Sequence, residues 1–473
     1  MTRNHIHFIG IAGKTMAPLA KMFMDMGWQV TGSDQKAVYP PITTYLEENN
    51  IDFARGYSEK NLSEKPDLVV VGRSALLINQ ENPEVVKAKK FGCPILSYPE
   101  VLRNFLVKEN SIVTAGTYGK TTLASLLAWI LEKAGFNPSF MIGGVSLNFS
   151  DGVRNTPSSY SVIEGDETPA MLETDLPKFM FYKPKFVLLT AAKWDHPEIF
   201  KNENDYILAF KKFVKLIPQD GLLVACGDGE NIKEVARVAK CQVVWYSSET
   251  KNANFWLEKI SFATKLVSFE VVTLKERILL ETSLLGRHNL QNICGAVALC
   301  RSLGIETEII KNAIRTFKGI KTRLENLGTF GGITVFFDFA QHPAKVKESL
   351  TALRVRFPKS RIFCVFDPHA SLLKQRESLT WYPGKFDKAN QVIVTKMAFL
   401  KTSKKENRVK GPEIVRAIAK TQPNVFYEPI DEKVIDFLIN EPKRKDIIIF
   451  MSSGGLKITT MIEKTIAKLK KDS

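Results

Sequence analysis

The segment from Ser111 to Lys133 constrains the fold more than any other. Ser111–Ala115 (SIVTA) is short, apolar and β-branched, the pattern of a strand buried on both faces. A glycine-bearing turn follows, and apolar residues at helical spacing then run to Lys133. Strand, turn and helix in that order gather backbone N–H groups at a helix N-terminus, where phosphate is favoured. The turn reads Thr114-Ala-Gly-Thr-Tyr-Gly-Lys-Thr-Thr122. Gly119 lets the backbone approach a nucleotide closely. Lys120 is positioned to reach the β- and γ-phosphates of ATP and the Thr121 hydroxyl to ligate Mg²⁺. The usual pattern opens on glycine, where this chain has Thr114.

Short apolar runs alternate with helix-like stretches along the whole chain, which predicts parallel, doubly wound sheets. The 473 residues divide into three α/β blocks. The first, 1–108, has strand candidates His5–Gly10, Trp28–Ser33, Asp67–Gly72 and Pro94–Ser97, with a helix over Thr15–Gly27. The second, 109–322, adds Ser161–Glu164, Phe186–Thr190, Gly221–Ala225 and Val243–Tyr246 to the phosphate-loop strand. The third, 323–473, carries Ile333–Asp338, Ile362–Phe366, Val392–Thr395 and Asp446–Met451. The expected architecture is therefore a Rossmann-like N-terminal domain, a central P-loop ATPase-like domain and a Rossmann-like C-terminal domain.

Composition excludes several classes. Hydrophobic residues are 44% and charged residues 25% of the chain, which rules out wholesale disorder. No apolar window reaches the length of a membrane span, and Met1–Ile11 enters a strand-like run without an apolar signal segment, so a cytoplasmic protein is expected. The six cysteines form no Cys-x-x-Cys pair and read as reduced thiols. The net charge of +16 is spread along the chain. Its densest basic stretches carry no interleaved aromatic residues, so nucleic acid is not expected as a partner. A basic background suits phosphorylated substrates instead. Nothing in the sequence sets an oligomeric state.

Ligand groups recur after the strands. Glu164-Gly-Asp-Glu167 ends one strand candidate, and Asp195-His196 follows shortly after another. Oxygen ligands in such places suit Mg²⁺ shared with a substrate phosphate. Gly286-Arg-His-Asn-Leu-Gln-Asn292 precedes a further helix. There the amides of Asn289 and Asn292 match an adenine edge, and Asn289 suits equally well as a helix cap.

In this order and spacing, these motifs resemble the Mur ligases, ATP-dependent amide-bond ligases of peptidoglycan assembly. Phe317-Lys-Gly-Ile-Lys-Thr-Arg-Leu-Glu325 and Asp338-Phe-Ala-Gln-His-Pro343 complete the set. The resemblance implies a UDP-sugar rather than a nicotinamide in the first domain, with Gly10, Gly13, Asp34 and Ser74 as its contacts. The Gly-x-x-Gly spacing there also departs from the nicotinamide fingerprint. It further implies ATP on Gly116, Thr117, Gly119, Lys120, Thr121, Thr122, His288, Asn289, Asn292, Arg323 and Asp338. Mg²⁺ falls to Thr121, Glu164 and His196, and the amine substrate to His342 and His369. Lys120, Glu164, His196 and Arg323 are the implied catalytic groups, Arg323 reaching phosphate on domain closure. Lys211 stands at the spacing of a lysine that some branches carbamylate, but reads as part of a solvated helix face.

Within the family, Trp194-Asp-His-Pro-Glu-Ile-Phe200, Lys321–Glu325 and Met451-Ser-Ser-Gly-Gly455 resemble the murein peptide ligase branch. That branch joins a tripeptide to UDP-N-acetylmuramate in recycling. The sibling branch adds free L-alanine and is the alternative; a nucleotide-binding module without turnover is the third reading. Departures at Tyr118, Phe339 and Gln341 motivate the third, while Ala12 and Thr15 replace glycines common in the family on the first domain's loop. Phe366-Asp-Pro-His-Ala-Ser371, where the amine is expected, matches neither branch.

Overall fold

Short β-branched strands that are apolar on both faces need helices on each side, and the chain supplies them between many of its consecutive strands. The computed structural model describes residues 4–40, 42–171, 174, 176–196, 199–262, 266–340, 342–368, 373, 376–397, 409–452 and 454–471. They form two units, 1–284 with 288–320, and 285–287 with 321–473.

The first unit holds two sheets. In the N-terminal one, β1 (His5–Ile9), β2 (Gln29–Asp34), β3 (Ala54–Arg55), β4 (Leu68–Val71) and β5 (Ile95–Ser97) are all parallel, in the order β3-β2-β1-β4-β5. The helix Met16–Asp25 buries Leu19, Met22 and Phe23 against it. Phe23 meets Trp28 and Phe105 edge-on at 5.2 and 4.9 Å. A buried glutamate ties this domain together. Glu84 accepts from Ser58 N at 2.9 Å, Asn61 Nδ2 at 2.7 Å and Ser33 Oγ at 2.5 Å, and lies 3.0 Å from His7 Nε2. Burial opposes its charge, but these bonds, that to His7 foremost, outweigh burial and hold the carboxyl below its ordinary range.

The second sheet has ten strands. They are β6 (Asn110–Ala115), β7 (Ser139–Met141), β8 (Val153–Arg154), β9 (Tyr160–Gly165), β10 (Phe186–Leu189), β11 (Leu222–Cys226), β12 (Gln242–Ser247), β13 (Phe255–Ser261), β14 (Val267–Val272) and β15 (Arg277–Thr282). The order is β15-β14-β13-β12-β11-β10-β6-β9-β7-β8. The strands predicted from sequence here are β6, β9, β10, β11 and β12. The antiparallel extension β13–β15 was not predicted. Its signal was alternation rather than continuous apolarity: Val267, Phe269 and Val271 are buried between partly exposed Ser268 and Glu270. Such strands have one wet face, unlike those of a doubly wound core.

The second unit carries β16 (Glu325–Phe330), β17 (Ile333–Asp338), β18 (Ile362–Phe366), β19 (Gln391–Thr395), β20 (Val425–Glu428) and β21 (Ile447–Met451), in the order β16-β17-β21-β18-β19-β20. Only the β16–β17 pairing is antiparallel. All six cysteines are free, and five are buried. No helix among the described residues is long and apolar enough to cross a membrane.

Candidate functional site

Register builds the site. In β6, Thr114 and Ala115 pair with Glu164 and Gly165 of β9 on one side and with Leu188 and Leu189 of β10 on the other. The loop after β6 therefore emerges at the C-terminal edge of the sheet, between the ends of both neighbours, where open α/β sheets bind ligands. It is closely tied down. Thr117 N donates to Ala191 O at 2.9 Å, Thr190 Oγ1 to Tyr118 O at 2.7 Å, and Thr114 Oγ1 to Lys120 O at 3.1 Å. Thr114, the departure from the usual glycine, is thus a buried clasp on the loop. Gly119 is the residue before helix Lys120–Lys133, with φ +80°. A Cβ there would stand 2.7 Å from Asn292 Oδ1, so only glycine fits.

Lys120 and Thr121 open that helix and turn back toward the loop. Lys120 Nζ donates to Gly116 O at 2.8 Å and to Glu167 Oε2 at 2.8 Å. Burial disfavours the ammonium, but Glu167, with Glu164 and Asp166 behind it, outweighs burial and raises its pKa. Thr121 Oγ1 donates to Glu164 Oε1 at 3.0 Å, and Gly143 N to Glu164 Oε2 at 2.7 Å. Burial, with Asp166 adding to it, pushes the Glu164 carboxyl above its usual range despite the Lys120 charge and these two bonds. A carboxylate short of positive charge next to a hydroxyl is a hard-oxygen pair that suits Mg²⁺, the nucleotide completing the shell. Among the described residues, no group of three or more His, Cys, Asp or Glu side chains would hold a metal unaided.

His196 adopts a left-handed backbone, φ +59°, uncommon outside glycine and frequent at functional sites. Asp195 Oδ1 accepts from its N–H at 2.9 Å. Its Nε2 lies 3.9 Å from Glu167 Oε1, so the structure pairs this imidazole with Glu167. Glu167 is the group sequence reasoning passed over. It was visible only as the fourth residue of Glu164–Glu167, and its partnership with Lys120 depends on the β6–β9 register. Lys211 donates to Glu234 Oε1 at 2.6 Å on the face between two helices.

On the far side of the loop, Asn292 is buried against Gly119, while Asn289 is half-buried and His288 exposed in the first turn of helix Arg287–Ser302. Gln291 Nε2 donates to Asp228 Oδ2 at 2.9 Å, joining this helix to the end of β11. Asn289 lies in the first turn of this helix, which opens at Arg287.

The glycine loop of the N-terminal domain is assembled by Asp34. Its Oδ2 accepts from Ala12 N at 2.8 Å and its Oδ1 from Gln35 N at 2.7 Å. Gly10 has φ +88°, and a Cβ there would lie 3.7 Å from Gly72 Cα. Ser74, exposed in the first turn of the helix after Gly72, thus borders the same edge as Gly10 and Gly13.

In the second unit, Asp338 accepts from Leu324 N at 3.0 Å and from Ser349 Oγ. It fixes the turn that carries Arg323, whose guanidinium lies 5.1 Å over the Phe339 ring. The departure to phenylalanine thus supplies a platform for that arginine. His342 caps helix Pro343–Arg356 through Nδ1, 3.2 Å from Ala344 N, and its ring faces Trp381 at 5.2 Å. Asp367 is buried and occupied, bonded to Thr395 Oγ1 and Ser452 Oγ at 2.8 Å each and paired with Lys457 at 3.3 Å. His369 and Gln341 lie outside the described residues.

A phosphate-binding loop with a paired lysine, a hydroxyl–carboxylate pair at its mouth and three α/β sheets define a nucleotide-using enzyme of the P-loop type. Family comparison is more specific. The chain matches the Mur ligase family, catalytic domain over residues 5–109, the Mur ligase middle domain over 113–300, and the Mur ligase, glutamate ligase domain over 322–454. It is 30% identical over 456 residues to UDP-N-acetylmuramate–L-alanine ligase of Acetivibrio thermocellus, covering 96% of this chain and 94% of that one. It is also 30% identical over 455 residues to UDP-N-acetylmuramate–L-alanyl-gamma-D-glutamyl-meso-2,6-diaminoheptandioate ligase of Escherichia coli, covering 95% of each. The crystal structure of UDP-N-acetylmuramate-alanine ligase from Thermotoga maritima has the same fold, with TM-score 0.77 at 22% identity over 99% of this chain and 98% of that one. The chain belongs to the Mur ligase family of ATP-dependent, C–N bond-forming ligases.

Proposed function

We propose that this ligase joins an L-Ala–γ-D-Glu–diamino-acid peptide to the lactyl carboxylate of UDP-N-acetylmuramate, in the cytoplasm, as a recycling step of peptidoglycan assembly. The observation that carries the reading is the convergence of Lys120, Thr121, Glu164 and Glu167 at one loop mouth. The peptide assignment is supported by Trp194–Phe200, Lys321–Glu325 and Met451–Gly455 and their likeness to that branch.

The lactyl carboxylate oxygen attacks the γ-phosphorus of ATP, ADP leaves, and an acyl phosphate forms. The amine nitrogen then attacks the acyl carbon, the C–O bond to phosphate breaks, and amide and inorganic phosphate result. Phosphoryl transfer asks the protein chiefly for positioning and charge compensation. Loop N–H groups and the N-terminus of helix Lys120–Lys133 cradle the phosphates. Lys120 leaves Glu167 to meet the charge growing between carboxylate and γ-phosphate. Thr121 and Glu164 would hold Mg²⁺, which supplies further charge neutralisation when bound. Asp34 keeps the Gly10–Gly13 loop open to the diphosphate of the UDP-sugar, with Ser74 beside it. His288, Asn289 and Asn292 face the adenine, Arg323 serves the phosphates, and His342 and His369 serve the amine.

Relatives that use L-alanine at 30% identity favour a second reading, the alanine-adding ligase. Phosphate release from ATP and UDP-N-acetylmuramate, with either tripeptide or L-alanine as amine, separates them. Turnover with the tripeptide and none with L-alanine is the expected result; the reverse assigns the alanine reaction.

A further inference from the structure

Tyr206 is fully buried on helix Glu203–Val214. Packing accounts for its ring: Phe200 lies edge-on at 4.9 Å and Phe210 tilted at 5.1 Å. Phenylalanine would fill that space as well. Packing does not account for the hydroxyl, since burying a phenol costs free energy unless it is hydrogen-bonded. This one is placed 3.2 Å from Glu167 Oε1 and 3.3 Å from Thr117 Oγ1. The first is the carboxylate that holds Lys120, and the second belongs to the phosphate loop.

We infer that Tyr206 is a positioning residue for nucleotide binding, its hydroxyl holding the Glu167 carboxylate in place while Lys120 transfers to the triphosphate. This rests on reading the loop as an ATP site. Glu167, with its side chain 1% exposed, is balanced by Lys120 at 2.8 Å. A triphosphate reaching the loop competes for the same ammonium. Once Lys120 turns to it, Glu167 is a buried carboxylate short of its cation, which is costly unless other donors remain. Tyr206 is such a donor, and it does not travel with Lys120, because its ring is fixed between two others. His196 Nε2, 3.9 Å from the same oxygen, is beyond hydrogen-bonding distance. The hydroxyl thereby supports nucleotide affinity without touching nucleotide.

The test compares Tyr206→Phe, Glu167→Gln and the double variant with wild type. ATP binding in the presence of Mg²⁺ is read by calorimetry, alongside thermal midpoints and the KM for UDP-N-acetylmuramate. Tyr206→Phe keeps the ring, so its midpoint and its KM for the UDP-sugar stay at wild-type values. Its dissociation constant for ATP rises about tenfold, the loss of one hydrogen bond to a charged group. With Glu167→Gln already present, removing the hydroxyl changes ATP affinity by less than about twofold, because the charge it serves is gone. Unchanged ATP affinity in Tyr206→Phe, with or without a lower midpoint, overturns the inference and leaves the residue structural. Equal losses in both backgrounds overturn it as well. Wild type that binds no ATP removes the proposed function itself, a distinguishable outcome.

Discussion

At the scale of single residues, the proposed phosphoryl transfer turns on Lys120. Replacing it with alanine removes the cation proposed to meet the γ-phosphate and leaves Glu167 buried without its lysine partner. Ligation falls by at least about a thousandfold, the usual size of a lost phosphoryl-transfer cation, while UDP-N-acetylmuramate binding measured by calorimetry persists. Ligation near the wild-type rate would remove the loop from the mechanism. Gly119→Ala is the backbone counterpart. Its φ of +80° and the amide of Asn292 in the way make it cost about 1–3 kcal/mol. Chemical denaturation checks this, and Asn292→Ala in the same chain restores part of the loss if the contact is the cause. Lys120, Thr121 and Glu164 were legible in the sequence because their spacing is local. Glu167 was only half legible. It stood in a motif, but its pairing with Lys120 across 47 residues comes from strand register. Asp338 and His342 were read as ligand contacts, and local spacing could not reveal their hydrogen bonds to the Leu324 turn and to a helix N-terminus.

At the scale of elements, strands buried on both faces announced themselves as continuous apolar runs, which is why β1, β6, β10, β11, β18 and β21 were readable. The hairpins β13–β15 were not, because half their residues face water and the run is broken at every second position. Long-range polar ties are the least legible layer. Glu84 meets His7 across 77 residues, and nothing near either announces it. That tie makes a pH prediction. The Glu84 carboxyl is held below its ordinary value of 4.5. Its contribution is therefore fully present above that pH and is lost as pH falls through the depressed value. Glu84→Gln lowers stability at neutral pH by about 1.5–3 kcal/mol, the worth of hydrogen bonds to a charged group, and flattens the acid side of a urea-midpoint profile. A variant as acid-sensitive as wild type would contradict the assignment.

At the scale of the whole molecule, the substrates proposed for this basic chain, ATP and a UDP-sugar, both carry phosphate. Ligand linkage follows: ATP with Mg²⁺ at a hundred times its dissociation constant stabilises the fold by about 2.7 kcal/mol. Differential scanning fluorimetry reads this as a rise in midpoint that Lys120→Ala loses. The decisive measurement is isotopic. UDP-N-acetylmuramate labelled with ¹⁸O in its lactyl carboxylate is turned over with ATP and the tripeptide, and the products are weighed by mass spectrometry. Activation through an acyl phosphate delivers one labelled oxygen to the released inorganic phosphate. Product formed with unlabelled phosphate, or with the label in AMP, would contradict the account.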